Sequence, residues 1–242
     1  MLLSCPFHSS LKKFFGYFLM YIPKHYAVTD RSKMCEFIKS NSFGILFSHT
    51  GSEPMASHLP FILDQDGGEQ GIILGHMAKA NCQWRYSDGE QVLVVFHGPH
   101  AYVSPTWYQE EDTVPTWDYV AVHATGVFKA VQDRAGLEES VGRLSHQHEA
   151  SLPQPWQPDF STAYLNQMLK RIVAFEIEIT SLQGKWKLNQ NHPEHRRRRV
   201  AEQLKTLGGD TNLQIAGLMD EAFSGSPTAV EELRCKDSGT TG

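Results

Sequence analysis

The stretch Val92-Leu93-Val94-Val95-Phe96-His97-Gly98-Pro99-His100-Ala101-Tyr102-Val103-Ser104-Pro105-Thr106-Trp107-Tyr108 decides the fold. Its first five residues are apolar, and three of them are valines, as expected for a buried strand. Gly-Pro then predicts the end of that strand, because proline donates no ladder hydrogen bond and fixes its own φ. The Tyr, Trp, Ser and Thr residues beyond it are expected at a strand end, where loops carry function. Such a cluster reads equally as a wall for a planar ligand or as an aromatic core.

Working outward, further apolar runs lie at Phe43 to Ser48, Ala56 to Leu63, Gly71 to Gly75 and Tyr119 to Val131. Asp64-Gln65-Asp66-Gly67-Gly68 separates two of them and predicts a hairpin, since Asp and Gly tolerate the positive φ of tight turns. Runs at this spacing imply an antiparallel sheet curled into a barrel. Along Tyr119 to Val131, alternation sets Ala121, His123 and Thr125 on one face and Val120, Val122 and Ala124 on the other. The first face is too polar for a sealed core and is expected to line a ligand slot or a subunit interface. Ile172 to Ile179 supplies a late strand, its second half alternating apolar with acidic residues.

Helices are expected after Asp30, with Met34, Phe37 and Ile38 on one face and a stop at Asn41. Further helices are expected from Leu137 to Ala150, from Ser161 to Arg171, before Leu207, and through Leu213, Ala216, Met219 and Phe223. The fold class is therefore mainly β with flanking helices, in one domain over residues 20–223. Lys12 and Lys13 precede the apolar run Phe14 to Leu19, which is about half a membrane span in length. With no small-residue cleavage site behind that run, Met20 is the expected natural start and residues 1–19 an upstream extension. Residues 224–242 read as a disordered tail.

The 242 residues carry a formal charge of −5, so no general attraction to a nucleic-acid backbone is expected. The run Arg196 to Arg199 points all round a helix and reads as a solvated basic turn. Cys5, Cys35, Cys82 and Cys235 are scattered, which excludes a disulfide framework or zinc knuckle and fits a reducing cytoplasm. Neither His97 with His100 nor His146 with His148 has a carboxylate at metal-site spacing, so no metal is expected.

Two segments carry polar chemistry. Gly75-His76-Met77-Ala78-Lys79-Ala80-Asn81 follows a strand and leads into helix-favouring residues, so a phosphate fits there, although on this segment alone a solvated Lys79 and a packing His76 are the more common outcome. Lys79 would be the cation and His76 and Asn81 the donors. In Gly184-Lys185-Trp186-Lys187-Leu188-Asn189-Gln190-Asn191, an extended chain places Lys185 and Lys187 on one face and Trp186 on the other. Two cations beside the amides of Asn189 and Gln190 suit an anionic cofactor.

These segments, with Phe96 to Tyr108, Val114-Pro115-Thr116-Trp117 and Met20-Tyr21-Ile22-Pro23, resemble the signature blocks of the PaiB-type FMN-binding negative transcriptional regulators. The resemblance runs in order over roughly residues 20 to 220. It implies an antiparallel split β-barrel related to pyridoxamine-phosphate oxidases, homodimeric, with FMN at the subunit interface. Carried over, Lys79 would hold the phosphate with His76 and Asn81, Ser57 and His58 would lie on a strand along the isoalloxazine edge, and Lys185, Trp186, Lys187 and Gln190 would close the site. Two positions depart from the pattern: Asp118 stands where the family form V-P-T-W-N-Y has Asn, and Asn189 where it often has Ser. A carboxylate is unfavourable beside a phosphate, so Asp118 is expected away from it. The family implies a regulator, yet no DNA-binding module is readable. A flavin-dependent oxidoreductase and a flavin-sensing protein acting through a partner remain open, because no catalytic acid, base or nucleophile is identifiable.

Overall fold

A computed structural model describes residues 20–224, so the expected extension and nearly all of the expected tail lie outside the described residues. The strands are β1 (Ala27–Val28), β2 (Phe43–His49), β3 (Pro54–Pro60), β4 (Ile62–Asp64), β5 (Ile72–Ala78), β6 (Gln91–Val103), β7 (Thr116–Val131) and β8 (Ile172–Lys187). They form one sheet in the order β3-β2-β6-β7-β8-β5-β4, with β1 pairing onto β8, and every pairing is antiparallel. Its two outer strands, β3 and β4, are separated in the chain only by Phe61. One bent segment thus supplies both edges of the sheet and closes it into a barrel.

Phe61 is fully buried at that corner, edge-on to Phe96 at 5.6 Å and to Phe175 at 6.1 Å, while Phe128 stacks on Phe175 at 4.8 Å. These rings, with Val94, Val120, Val122 and Ile177, are the barrel interior. Gly126 marks a register shift in the β7–β8 ladder, where a Cβ would lie 2.3 Å from the Glu178 carbonyl oxygen. Only glycine permits that approach.

The strand that begins at Val92 does not end at Gly98-Pro99. It runs on to Val103, and the Gly-Pro pair sits in a bulge between His97 and His100. A bulge leaves a residue outside the ladder, which removes proline's penalty. The aromatic cluster consequently lies largely on the sheet. Strand β7 starts at Thr116, so only Val114-Pro115 of the Val114–Trp117 block precede it, after bends at residues 110–112.

The helices are α1 (Arg31–Ser40), α2 (Gln83–Ser87), α3 (Arg134–Glu149), α4 (Ala163–Leu169), α5 (Glu194–Leu207) and α6 (Asp210–Ser224). Asp30 caps α1 by accepting from the Ser32 and Lys33 amides, and Asn41 ends it, as expected. Met34 and Ile38 are buried against the barrel. Helix α3 covers the outer face of β5 and β8, with Ser140 donating to the Gly75 carbonyl at 3.3 Å. Helices α5 and α6 turn back on each other at Gly208 and Gly209, both at positive φ, and bury Val200, Leu204, Ile215 and Met219 in the main core. Among the described residues, no helix is long and apolar enough to cross a membrane.

Candidate functional site

Strand β5 persists through Ala78, Lys79 and Ala80 form a turn, and α2 begins only at Gln83. The expected strand-to-helix anchor is therefore replaced by a turn before a five-residue helix. What the turn builds instead is a side-chain corner. Asn81 donates to Ser57 Oγ at 2.8 Å and accepts from the Gln83 amide at 3.0 Å. Buried Gln83 in turn donates to the Leu46 carbonyl at 3.1 Å and to Ser48 Oγ at 3.0 Å. The Ser57–Asn81 pair is thus held from β2, β3 and β5, and its geometry is fixed before any ligand arrives.

Lys79 stands exposed in the same turn, two residues before Asn81. Its amide donates to the Arg171 carbonyl at 2.7 Å and its carbonyl accepts from Trp84 Nε1 at 3.2 Å, so its backbone is pinned while its ammonium pairs with no carboxylate among the described residues. His76 points to the outer face of β5, its Nδ1 buried without a partner, and burial holds its pKa below the ordinary imidazole value. His58 pairs with Ile45 and is exposed on the outer face, opposite in parity to Ser57.

The second segment behaves differently. Lys185 is buried, donates to the Tyr21 carbonyl at 3.0 Å, and lies 5.6 Å from the Tyr21 ring and 5.2 Å from the Tyr119 ring. Lys187 donates to Thr116 Oγ1 and to the Trp117 carbonyl, and sits 3.7 Å from Asp118 Oδ1. The two lysines share the outer face, as alternation predicts. Trp186 faces inward, buried and edge-on to Phe37 at 5.2 Å, so its indole packs the core rather than a ligand on the outer face. Gln190 closes its own turn, donating to the Trp186 carbonyl at 2.6 Å and accepting from the Leu188 amide at 2.7 Å.

The two segments do not meet within one protomer. Lys185 and Ser57 are four strand steps apart around the sheet, roughly 20 Å at ordinary strand spacing. By the other route, Ile172, which pairs with Ala78, is separated from Lys185 by roughly 40 Å of strand.

Between them lies the outer face of β6 and β7. His97 and His100 pack edge to face at 5.0 Å, and Trp117 lies 6.1 Å from His100 and 5.8 Å from Tyr102. Trp117 is 55% exposed, and Phe43 on the same sheet face is 64% exposed. Burial pushes the pKa values of His97 and His123 below the ordinary imidazole value. Tyr108 leaves the wall and is buried, donating to Asn189 Oδ1 at 3.3 Å.

Two features escaped sequence reasoning. Asp118 is fully buried with neither carboxylate oxygen hydrogen-bonded, and burial drives its pKa up to about 7 against the opposing pull of Lys187. Extending the alternation of Val120 and Val122 back by two residues would have put it inside. The arginine run lies at the surface of α5, as expected, but its charges are paired: His195 at 2.9 Å, Arg196 at 2.9 Å and Arg199 at 3.3 Å converge on Glu110, and Arg198 pairs with Glu194. Hydrogen bonds from Arg196 and His195 hold the Glu110 pKa down to about 2.

Solved structures share this split-barrel fold. The FAD and heme binding protein from Mycobacterium smegmatis aligns with a TM-score of 0.54 at 12% identity, covering 76% of this chain and 81% of its own. The flavocytochrome Anf3 from Azotobacter vinelandii aligns with a TM-score of 0.52 at 10% identity, covering 66% and 69%. Residues 20–181 match the family described as "Putative FMN-binding domain", and the chain belongs to that family, in its PaiB-type branch, with FMN as cofactor. "Protease synthase and sporulation protein PAI 2" of Bacillus subtilis is 36% identical over 204 residues, which cover 84% of this chain and 97% of that protein. An uncharacterized protein of Emericella nidulans is 32% identical with the same two coverages.

The residues present fit FMN. A phosphate dianion needs a cation with no competing carboxylate and hydrogen-bonding side chains, and the turn supplies an exposed Lys79 with no carboxylate partner among the described residues and, two residues on, the Ser57–Asn81 pair. Lys185 and Lys187 are already engaged by the chain itself.

Proposed function

We propose that this chain is an FMN-binding homodimer that acts as a negative regulator of transcription, with each flavin held between protomers. The observation that carries the binding part is the exposed Lys79, without a carboxylate partner among the described residues, in the turn that leads to the braced Ser57–Asn81 corner. An uncovered face bearing Phe43, Phe47, Tyr102 and Trp117 favours a second copy of the chain, since apolar patches of this kind mark interfaces. In such a pair, the corner of one protomer faces the Trp117 wall of the other. Ser57 and Asn81 orient, Lys79 neutralises phosphate charge, and the wall excludes water from the ring system. Bound FMN supplies the redox chemistry, and the chain supplies position and electrostatics. The regulatory part rests on the Bacillus subtilis relative, whose name ties it to protease synthesis and sporulation. With Arg196, Arg198 and Arg199 already paired to carboxylates, output through a partner protein is a second route to the same regulation.

A second reading, a flavin-dependent oxidoreductase, is favoured by the packed His97–His100 pair beside an exposed Trp117, which suits a planar substrate. The readings separate in one set of measurements. Lys79→Ala is expected to weaken FMN binding roughly tenfold or more, the usual scale for a charge-assisted contact, and to leave riboflavin binding unchanged. Wild-type affinity for FMN in that variant would remove Lys79 from the site. Salt-sensitive capture of promoter DNA without turnover supports the regulator; steady oxidation of a reduced nicotinamide supports the enzyme.

A further inference from the structure

A cleft of about 310 Å³ lies outside the aromatic face, between α3, α4 and the start of β8. Leu137, Leu169 and Ile172 line it with apolar surface, and Lys79, Lys170 and Arg134 line it with positive charge. The strand register creates this convergence. Ala78 pairs with Ile172, and the Lys79 amide bonds to the Arg171 carbonyl, so Lys79 and Lys170 are delivered from adjacent strand ends. Arg134 is oriented by its neighbours: it donates to Asn166 Oδ1, to the Phe160 carbonyl at 3.1 Å, and pairs with Glu138 at 2.6 Å. Asn166 is itself fixed to the Thr162 carbonyl at 2.8 Å, which locks the guanidinium to α4.

Charge around the cleft is unbalanced. Glu138 offsets Arg134, but neither Lys79 nor Lys170 has a carboxylate partner among the described residues. A bound anion would balance two cations that line one concave surface. The volume falls at the lower end of the range for small-molecule sites, and an apolar floor under a few polar groups is their usual construction.

We propose that this cleft is an oxyanion-binding site for a phosphate or carboxylate carried on a small apolar body, with Lys170 and Arg134 acting alongside Lys79. Such an oxyanion has two sources, the phosphate end of the flavin or a separate small anion. The site itself does not rest on the FMN reading, because its charge and shape are complete without a flavin.

The test uses the full chain, freed of flavin, and phenyl phosphate as probe, followed by calorimetry and phosphorus NMR. Saturable binding is expected, with phenol failing to bind. Lys170→Gln is expected to weaken phenyl phosphate roughly tenfold and Lys170→Arg to restore it, both retaining wild-type circular dichroism. No saturable binding by the wild type overturns the proposal, as does undiminished binding by Lys170→Gln. The sources are then distinguished by adding FMN to saturation. Displacement of phenyl phosphate, together with weaker FMN but unchanged riboflavin binding in Lys170→Gln, assigns the cleft to the flavin phosphate. Simultaneous binding of both assigns it to a separate anion. A protein that takes up phenyl phosphate but not FMN upholds the cleft while removing the flavin reading.

Discussion

Asp118→Asn is expected to stabilise the protein at pH 8 by up to about 4 kcal/mol and to have little effect near pH 4. The carboxyl is fully buried and its pKa is raised to about 7 from an ordinary value of 3.8, so between these limits the folded state keeps a proton that the unfolded chain has lost. Stability therefore falls as pH rises through that window and stays low above it. About three pH units at about 1.4 kcal/mol each give the figure, which in a domain of this size corresponds to a melting-temperature gain of roughly 10 °C. His76, His97, His123 and His192 act with the opposite sign, since their depressed pKa values give stability that is present above the ordinary imidazole value and lost as pH falls. They are common to both proteins and cancel in the difference. Thermal unfolding of wild type and variant at pH 4, 5, 6, 7 and 8 checks this; parallel curves across the range would show that Asp118 does not titrate in that window.

Phe61→Ala is expected to cost about 3–5 kcal/mol, the usual penalty for emptying a buried phenyl site. The ring is the contact between the Phe96 and Phe175 sides of the barrel, at the single residue that joins β3 to β4. Its amide also donates to the Ser42 carbonyl at 2.9 Å, a bond the alanine retains, so the loss is one of packing. Phe61→Leu fills most of the volume and is expected to lose less than half as much. Denaturant melts of the two variants measure the ratio, and equal losses would place the effect in the backbone instead.

Element identity was largely written in apolar period and turn chemistry. Asp30 and Asn41 bounded α1, and the Asp-Gly cluster after Leu63 gave the turn before β5. Strand length was harder to read. Proline in a bulge and proline at a strand end carry the same local signal, and only the β7 ladder distinguishes them at Gly98-Pro99. The site was legible as a set of polar residues but not as an arrangement. Lys79 and Lys185 look alike in sequence, while the fold leaves the first without a carboxylate partner among the described residues and sets the second between two tyrosines. The convergence on Glu110 was invisible because its partners lie some 85 residues away along the chain.

The separation of the Ser57–Asn81 corner from the Trp117 wall has a genetic corollary. In the two-fold pair proposed above, each site has mixed parentage, a corner from one chain and a wall from the other. When a chain damaged at Lys79 pairs with a chain damaged at Trp117, both lesions fall into one site and the other is wholly intact. Two alleles that are each weakened in both sites alone would therefore restore one fully competent site per mixed pair.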